Sequence, residues 1–367
     1  MNRLCGLDLL RAIAIIWVML FHATKYGTPS RDLSGLGWMG VDLFFVLSGF
    51  LIGSQLFKLV AQRQEVNLSE LYLNRVFRIL PAYIVVLTIY FLVPFTREGN
   101  GLQPLWQFLS FSVNLFIDTS SNNTFSHVWS LCIEEYFYLF FPIVVLQLMH
   151  RSSVTKILVL SLFIIAFGMY LRGYIWVNEL GWGQSYIENI YYPTYTRLDG
   201  LLAGVLLAAL KVFKPELWKF TMNHANKVLL VGLSGLATAI WLFKARFGYM
   251  ATVIGFPILS FSFAFIVAGA SSPNSILGKY KVPGVYFVAT LAYSLYLTHK
   301  FVFHIMNTNF GEQLRTNGYI AFFVYGIAAL LVAIVLYVVV ERPFLKLRST
   351  VVAWDNRKPQ KIAEINS

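Results

Sequence analysis

Apolar residues run through this chain in blocks of about twenty, broken by short polar clusters, and each block is long enough for an α-helix to cross roughly 30 Å of hydrocarbon. Ten such blocks stand out: residues 7–26, 38–57, 77–96, 130–149, 157–176, 196–212, 228–243, 250–271, 284–306 and 318–340. The pattern predicts an all-α membrane protein, a bundle of about ten transmembrane helices. An eleventh apolar stretch, 105–117, is short and is interrupted by Gln107, Ser110, Ser112 and Asn114, so it reads as interfacial or re-entrant.

Loop charges support that count. With the N-terminus inside, nineteen Lys and Arg fall on the cytoplasmic segments and six on the opposite loops, which satisfies the positive-inside rule. Treating 105–117 as a span would invert every later loop and place Lys211, Lys214, Lys219 and Lys227 outside. Both termini are therefore expected in the cytoplasm, with one membrane domain over 1–343 and a basic tail over 344–367. Glu341-Arg342-Pro343 is expected to end the last helix. The segment after Met1 is too long and too polar for a cleavable leader, so it is expected to remain as the first helix.

Composition agrees with a polytopic protein in a lipid bilayer: 57% of residues are hydrophobic, 13% are charged and the mean hydropathy is +0.65. The net charge of +12 is spread over several loops rather than gathered on one arm or helix, which argues against a nucleic-acid partner. Cys5 and Cys132 fall near opposite membrane faces and lack ligand spacing, so neither a disulfide nor a metal site is expected.

Polar residues inside the spans carry the candidate chemistry. Arg11 and His22 lie eleven positions apart on the first span, which brings them within roughly 20° of one helix face, with His22 ~16.5 Å further along the axis. An imidazole and a guanidinium in a membrane helix are costly unless they face protein or a wet cavity, and so mark function. Asp42, on the returning second span, falls at about the depth of His22. So do Glu134 and Glu135 on the fourth span, Arg197 and Asp199 on the sixth, and His299 and Lys300 on the ninth.

A carboxylate-held histidine can act as general base toward a hydroxyl. His22 with Asp42 is the first candidate pair, and Glu134 could orient His22 instead. The sequence does not choose between them, and Asp42, Glu134 and Asp199 could equally pair with Arg197 or Lys300. Arg75 and Arg78 share one helical face just before the apolar run of the third span, where Pro81 kinks or starts the helix; with Arg11 they could form a basic mouth for phosphates. Gly49, Gly53 and Ser48 read as helix packing.

These landmarks occur in an order that resembles the integral-membrane acyltransferase 3 family, from Leu7 to about Pro343. An Arg and a His separated by ten residues stand in LDLLRAIAIIWVMLFH, followed by GVDLFFVLSGFLI with Asp42, RVFRILPAY with Arg75 and Arg78, WSLCIEEYFYLFFP with Glu134 and Glu135, TRLDGLLAG with Arg197 and Asp199, then YSLYLTHK and ERPF. The resemblance implies transfer of an acyl group, usually acetyl from acetyl-CoA in the cytoplasm, to a hydroxyl of a carbohydrate or lipid-linked acceptor. It implies that Arg11, Arg75 and Arg78 hold the donor and that His22 is the base. Asp42 and Glu134 would orient that base or bind the acceptor, and Glu135, Arg197, Asp199, His299 and Lys300 would complete the acceptor side.

No tightly bound cofactor is implied, acetyl-CoA being a co-substrate. Some members of the family carry an appended extracytoplasmic hydrolase-like domain, whereas this sequence stops after its basic tail and is expected to act alone or with a separate partner. A bacterial inner membrane suits the composition, and the sequence does not indicate an oligomeric state. The competing reading is a transporter or flippase that uses His22 and Asp42 as a proton relay, though no internal repeat of the kind many transporters show is evident.

Overall fold

The computed structural model describes residues 4–27, 34–149, 154–179, 186–314 and 318–355. Among them the protein is all-helical. Eight stretches are long and apolar enough to span a bilayer: Cys5–Tyr26, Met39–Ala61, Leu68–Leu92, Ser126–Leu148, Val154–Asn178, Ala225–Ala245, Ala251–Ala270 and Ile320–Val351. The other two expected spans are also helices. One has 15 residues, Asp199–Phe213, and the other has 30, Val285–Leu314, where Ser294, His299, Lys300 and His304 dilute the hydropathy. The protein is an integral membrane protein.

The helices fall into two compact units, Met1–Gln64 with Gly99–Thr290, and Glu65–Glu98 with Leu291–Ser367. In the first unit α1 (Cys5–Ala23) is followed by α2 (Met39–Ala61). The second unit contributes α3 (Leu68–Leu92) before the chain returns through the short helices α4 (Leu105–Leu109) and α5 (Val113–Phe116). Then come α6 (Trp129–Met149), α7 (Val154–Glu179), α8 (Asp199–Phe213), α9 (Pro215–Asn223), α10 (Ala225–Leu242), α11 (Phe256–Ala270) and α12 (Ile276–Lys279). α13 (Val285–Leu314) passes into the second unit, which ends with α14 (Gly318–Leu336) and α15 (Arg342–Asp355).

In the first unit α2 packs closely against α8. A side chain at Gly49 would collide with the Leu201 carbonyl, and one at Gly204 with the Val46 carbonyl and the Phe50 amide, so both positions need glycine for the backbones to approach. Gly49 and Gly53 therefore pack helices, as their spacing suggests.

At 105–117 the expectation holds, and at two later places it changes. The 105–117 stretch is two short helices broken at Phe111, whose φ is +54°, so it does not cross a bilayer as one helix and the ten-span count is undisturbed. The third span does not start at Pro81: its helix begins at Leu68, where Asn67 accepts the Glu70 amide as N-cap, and runs with Pro81 inside it. Arg75 and Arg78 are thus interior helix positions.

The last helix does not end at Glu341-Arg342-Pro343 either. A π-turn over Tyr337–Glu341 leads directly into α15, placing Pro343 at its second position, where a missing N–H costs little. The same arrangement recurs at Ala251–Gly255, two residues ahead of Pro257. The basic tail expected over 344–367 is helical as far as Asp355, and Arg357, Lys358 and Lys361 lie outside the described residues.

Candidate active site

His22 lies in the last turn of α1 and is half-buried. Its ring meets that of His127 edge-on, with centroids 6.0 Å apart and planes at 61°. His127 is buried in the 3-10 turn Ser126–Val128 that leads into α6, and the Phe125 ring lies 5.1 Å from it. Phe125 itself adopts a left-handed backbone, φ +56°, a conformation unfavourable for a bulky side chain and held here by its complete burial. The sequence alone assigned His127 no role.

The expected contact between His22 and Asp42 is not formed. Asp42 Oδ1 accepts from Arg197 Nη2 at 2.7 Å, and both side chains are almost wholly enclosed. Helix geometry explains the choice. Gly40 is the residue of α2 pressed against α1, at the Ala14 carbonyl, and two residues on, a turn of about 200° aims Asp42 away from α1 toward α8.

Arg197 is also enclosed by aromatic faces: its guanidinium carbon lies 4.2 Å from the Phe256 ring centroid, 4.4 Å from Tyr191 and 5.3 Å from Trp129. Asp199, two residues further, pairs with Arg172 in a bidentate grip of 2.7 and 3.1 Å. Arg172 is fully buried in the second half of α7. Its remaining N–H groups reach the carbonyls of Thr196, Thr252 and Val253, two of which belong to the π-turn Ala251–Gly255. A π-turn shifts carbonyls out of the usual helical ladder, which is what a buried guanidinium requires.

Burial pushes the Tyr191 and Tyr192 phenols up from their ordinary value; Arg197 and Arg246 pull Tyr191 the other way without reversing it. Both side chains are therefore neutral at physiological pH.

Glu134 lies five residues into α6, about 7.5 Å along its axis, and its Oε1 accepts from Ser48 at 2.8 Å. Ser48 is thus more than packing. Glu135, the next residue, is half-buried. Toward the other end of α1, Arg11 donates to the buried Asp8 at 3.0 Å, a partner that sequence reasoning left out. Asp8 also lines a cavity of about 250 Å³, together with Cys5, Leu9, Tyr280, Lys281, Val282, Val285 and Tyr286.

The remaining expected site residues belong to the second unit. There Arg75 is half-buried and Arg78 exposed on α3, and Arg78 acts electrostatically on the buried Glu341, which accepts from Ser294 at 2.9 Å. His299 is buried with Nδ1 donating to the Leu295 carbonyl at 2.9 Å, while Lys300 is held by Glu98 at 2.9 Å. The ERPF motif thus supplies a buried carboxylate as well as a proline, a role the sequence did not suggest. Among the described residues no group of three or more His, Cys, Asp or Glu is arranged to hold a metal, and both cysteines are free thiols.

Residues 5–338 match the family Acyl_transf_3, described as an acyltransferase domain. The chain is 31% identical over 365 residues to the O-acetyltransferase OatA of Staphylococcus aureus strain NCTC 8325, covering 93% of this chain and 57% of that protein. It is 28% identical over 377 residues to the putative O-acetyltransferase SACOL0978 of S. aureus strain COL, covering 94% and 58% respectively. The chain thus spans a little over half the length of these curated relatives. No solved structure gives a significant match. With the Arg11 and His22 helix, the Asp42 and Glu134 segments and the closing ERPF all inside or beside the matched region, the chain belongs to the acyltransferase 3 family of integral membrane proteins.

Proposed function

We propose that this protein is a membrane O-acyltransferase that moves an acyl group, acetyl in the first instance, from cytoplasmic acyl-CoA to a hydroxyl of a carbohydrate. The acceptor class is a polysaccharide, a lipopolysaccharide or a lipid-linked glycan, and the location is a bacterial inner membrane with both termini cytoplasmic. The observation that carries this reading is His22, a half-buried imidazole in ring contact with a second histidine at one helix end, in a chain whose relatives are named O-acetyltransferases.

In this mechanism the acceptor oxygen bonds to the thioester carbonyl carbon while His22 takes the hydroxyl proton. The C–S bond then breaks, and the proton passes to the departing thiolate. Direct transfer requires no covalent intermediate on the protein. Asp42 is engaged by Arg197, which favours Glu134 as the carboxylate that orients His22 or the acceptor. Arg11, Arg75 and Arg78 are assigned to donor phosphates. Glu135, His299 and Lys300 stay on the acceptor side, and the buried pairs of Arg197 and Asp199 favour a framework role for those two.

The test is the purified full chain in proteoliposomes with acetyl-labelled acetyl-CoA and candidate glycans. Label is expected on glycan hydroxyls with the unaltered protein and to be lost in His22→Ala. Transfer that survives in His22→Ala would overturn the assignment. Acceptor movement across the bilayer without any acyl transfer would replace it with the transport reading.

A further inference from the structure

Among the described residues of the first unit Arg172, Arg197 and Arg246 stand against aromatic rings, and the first two are matched by carboxylates, Arg172 by Asp199 and Arg197 by Asp42. The third, Arg246, has none. It follows the 3-10 turn Phe243–Ala245 and is half-buried. Its guanidinium carbon lies 4.9 Å from the Trp38 ring centroid, 5.4 Å from Tyr191 and 5.8 Å from both Phe21 and Phe247. Among the described residues it makes no hydrogen bond and no ion pair.

Ring faces attract the charge of a guanidinium but leave its N–H edge unfilled, and that edge is a planar fork of donors shaped for a carboxylate or phosphate. Tyr191 does not serve as counter-ion, because burial keeps its phenol neutral. The cage also fixes a location. Phe21, one wall, precedes His22 in the last turn of α1, while Trp38, another wall, caps the start of α2, so the free edge sits at the helix end that carries the imidazole.

We infer that Arg246 is an oxyanion anchor: it binds a carboxylate or phosphate carried by the acceptor and so positions the acceptor hydroxyl near His22. The inference rests on the acyl-transfer reading for the word acceptor, but the oxyanion site itself is testable without turnover. The phosphate of an anionic lipid headgroup offers the same chemistry, and the experiment separates the two sources.

The full chain in phosphatidylcholine nanodiscs, with no donor present, is titrated with methyl glucuronide and with methyl glucoside, which differ only in a carboxylate. Binding is read from tryptophan fluorescence and thermal stability. The glucuronide is expected to bind at least about tenfold more tightly, and the preference to vanish in Arg246→Gln and to persist in part in Arg246→Lys. The same titration in nanodiscs containing phosphatidylglycerol is expected to give the same preference. No preference in the unaltered protein, or one that survives in Arg246→Gln, would overturn the anchor. A preference abolished by phosphatidylglycerol would assign the site to lipid and overturn the acceptor role. A clear preference in a protein that transfers no acetyl group would leave the anchor standing and remove the acyl-transfer reading alone.

Discussion

Asp42 and Arg197, 155 positions apart in the chain, meet at 2.7 Å with side chains only 3% and 1% exposed. Few arrangements are as demanding on a membrane helix, because each charge without the other would stand uncompensated in a medium that solvates it poorly. The pair joins the start of α2 to the start of α8, and the Arg172 and Asp199 pair ties the same end of α8 to α7. Two buried ion pairs therefore fix three helices of the first unit against one another.

Breaking one partner should cost more than removing both. Arg197→Gln leaves Asp42 buried without its cation, for which a loss of about 3–5 kcal/mol is expected, and Asp42→Asn strands Arg197 in the same way. The double variant Asp42→Asn/Arg197→Gln is expected to lose clearly less than the sum of the single effects. Thermal unfolding of the purified protein in detergent measures all three. Strict additivity would show that the two side chains are energetically independent.

Much of this was legible in the chain, for stated reasons. Hydropathy marks helices by length alone, so even the short α8 and the diluted α13 are found, and the polar positions His22, Asp42, Glu134 and Arg197 stand out because lipid tolerates them poorly. Pairing was not legible. Whether Asp42 turns to His22 or to Arg197 depends on which face of α2 meets α1, and that is decided by Gly40 against the Ala14 carbonyl, a backbone approach with no sequence signal beyond a glycine. Arg172 was the overlooked clue: a lone arginine within an apolar span must find a carboxylate, and Asp199 was its match. The continuation past Pro343 was hidden because the π-turn that accommodates it has no recognised sequence mark.

The α2–α8 contact gives a second test of the packing. Both backbones flank Gly204, so Gly204→Leu has no flexible neighbour to displace and is expected to lose at least 1–3 kcal/mol, roughly the cost of overpacking. Gly326 in α14 meets nothing within 4 Å, so Gly326→Ala is expected to be neutral or slightly stabilising. Melting temperatures of the two variants in one detergent are the check, and equal losses would contradict the packing described.

The His127 ring packs against that of His22 with centroids 6.0 Å apart, so it can serve as a wall beside it. His127→Phe keeps an aromatic ring of similar size and is expected to retain most acetyl transfer. His127→Ala, which opens a gap beside the base, is expected to lower kcat about tenfold with KM for the donor little changed. If His127→Phe were as inactive as His22→Ala while still folded, His127 would be exchanging protons rather than supporting the ring.

In the proposed mechanism Glu134, held by Ser48, is the carboxylate that orients His22. In that mechanism the carboxylate charge of Glu134, which accepts from Ser48, would stabilise an imidazolium forming on His22. Glu134→Gln preserves the shape and the Ser48 hydrogen bond but removes that charge, so kcat is expected to fall by about a hundredfold, with thermal stability close to that of the unaltered protein. Ser48→Ala removes only the donor that steadies the carboxylate, and a loss of a few-fold is expected. Initial rates of acetyl transfer at saturating donor compare the two. A Ser48→Ala loss equal to that of Glu134→Gln would point instead to the hydroxyl as the group in contact with substrate. An unaffected Glu134→Gln would take the carboxylate out of the mechanism, leaving the ring of His127 and the helix end of α1 to hold His22 in place.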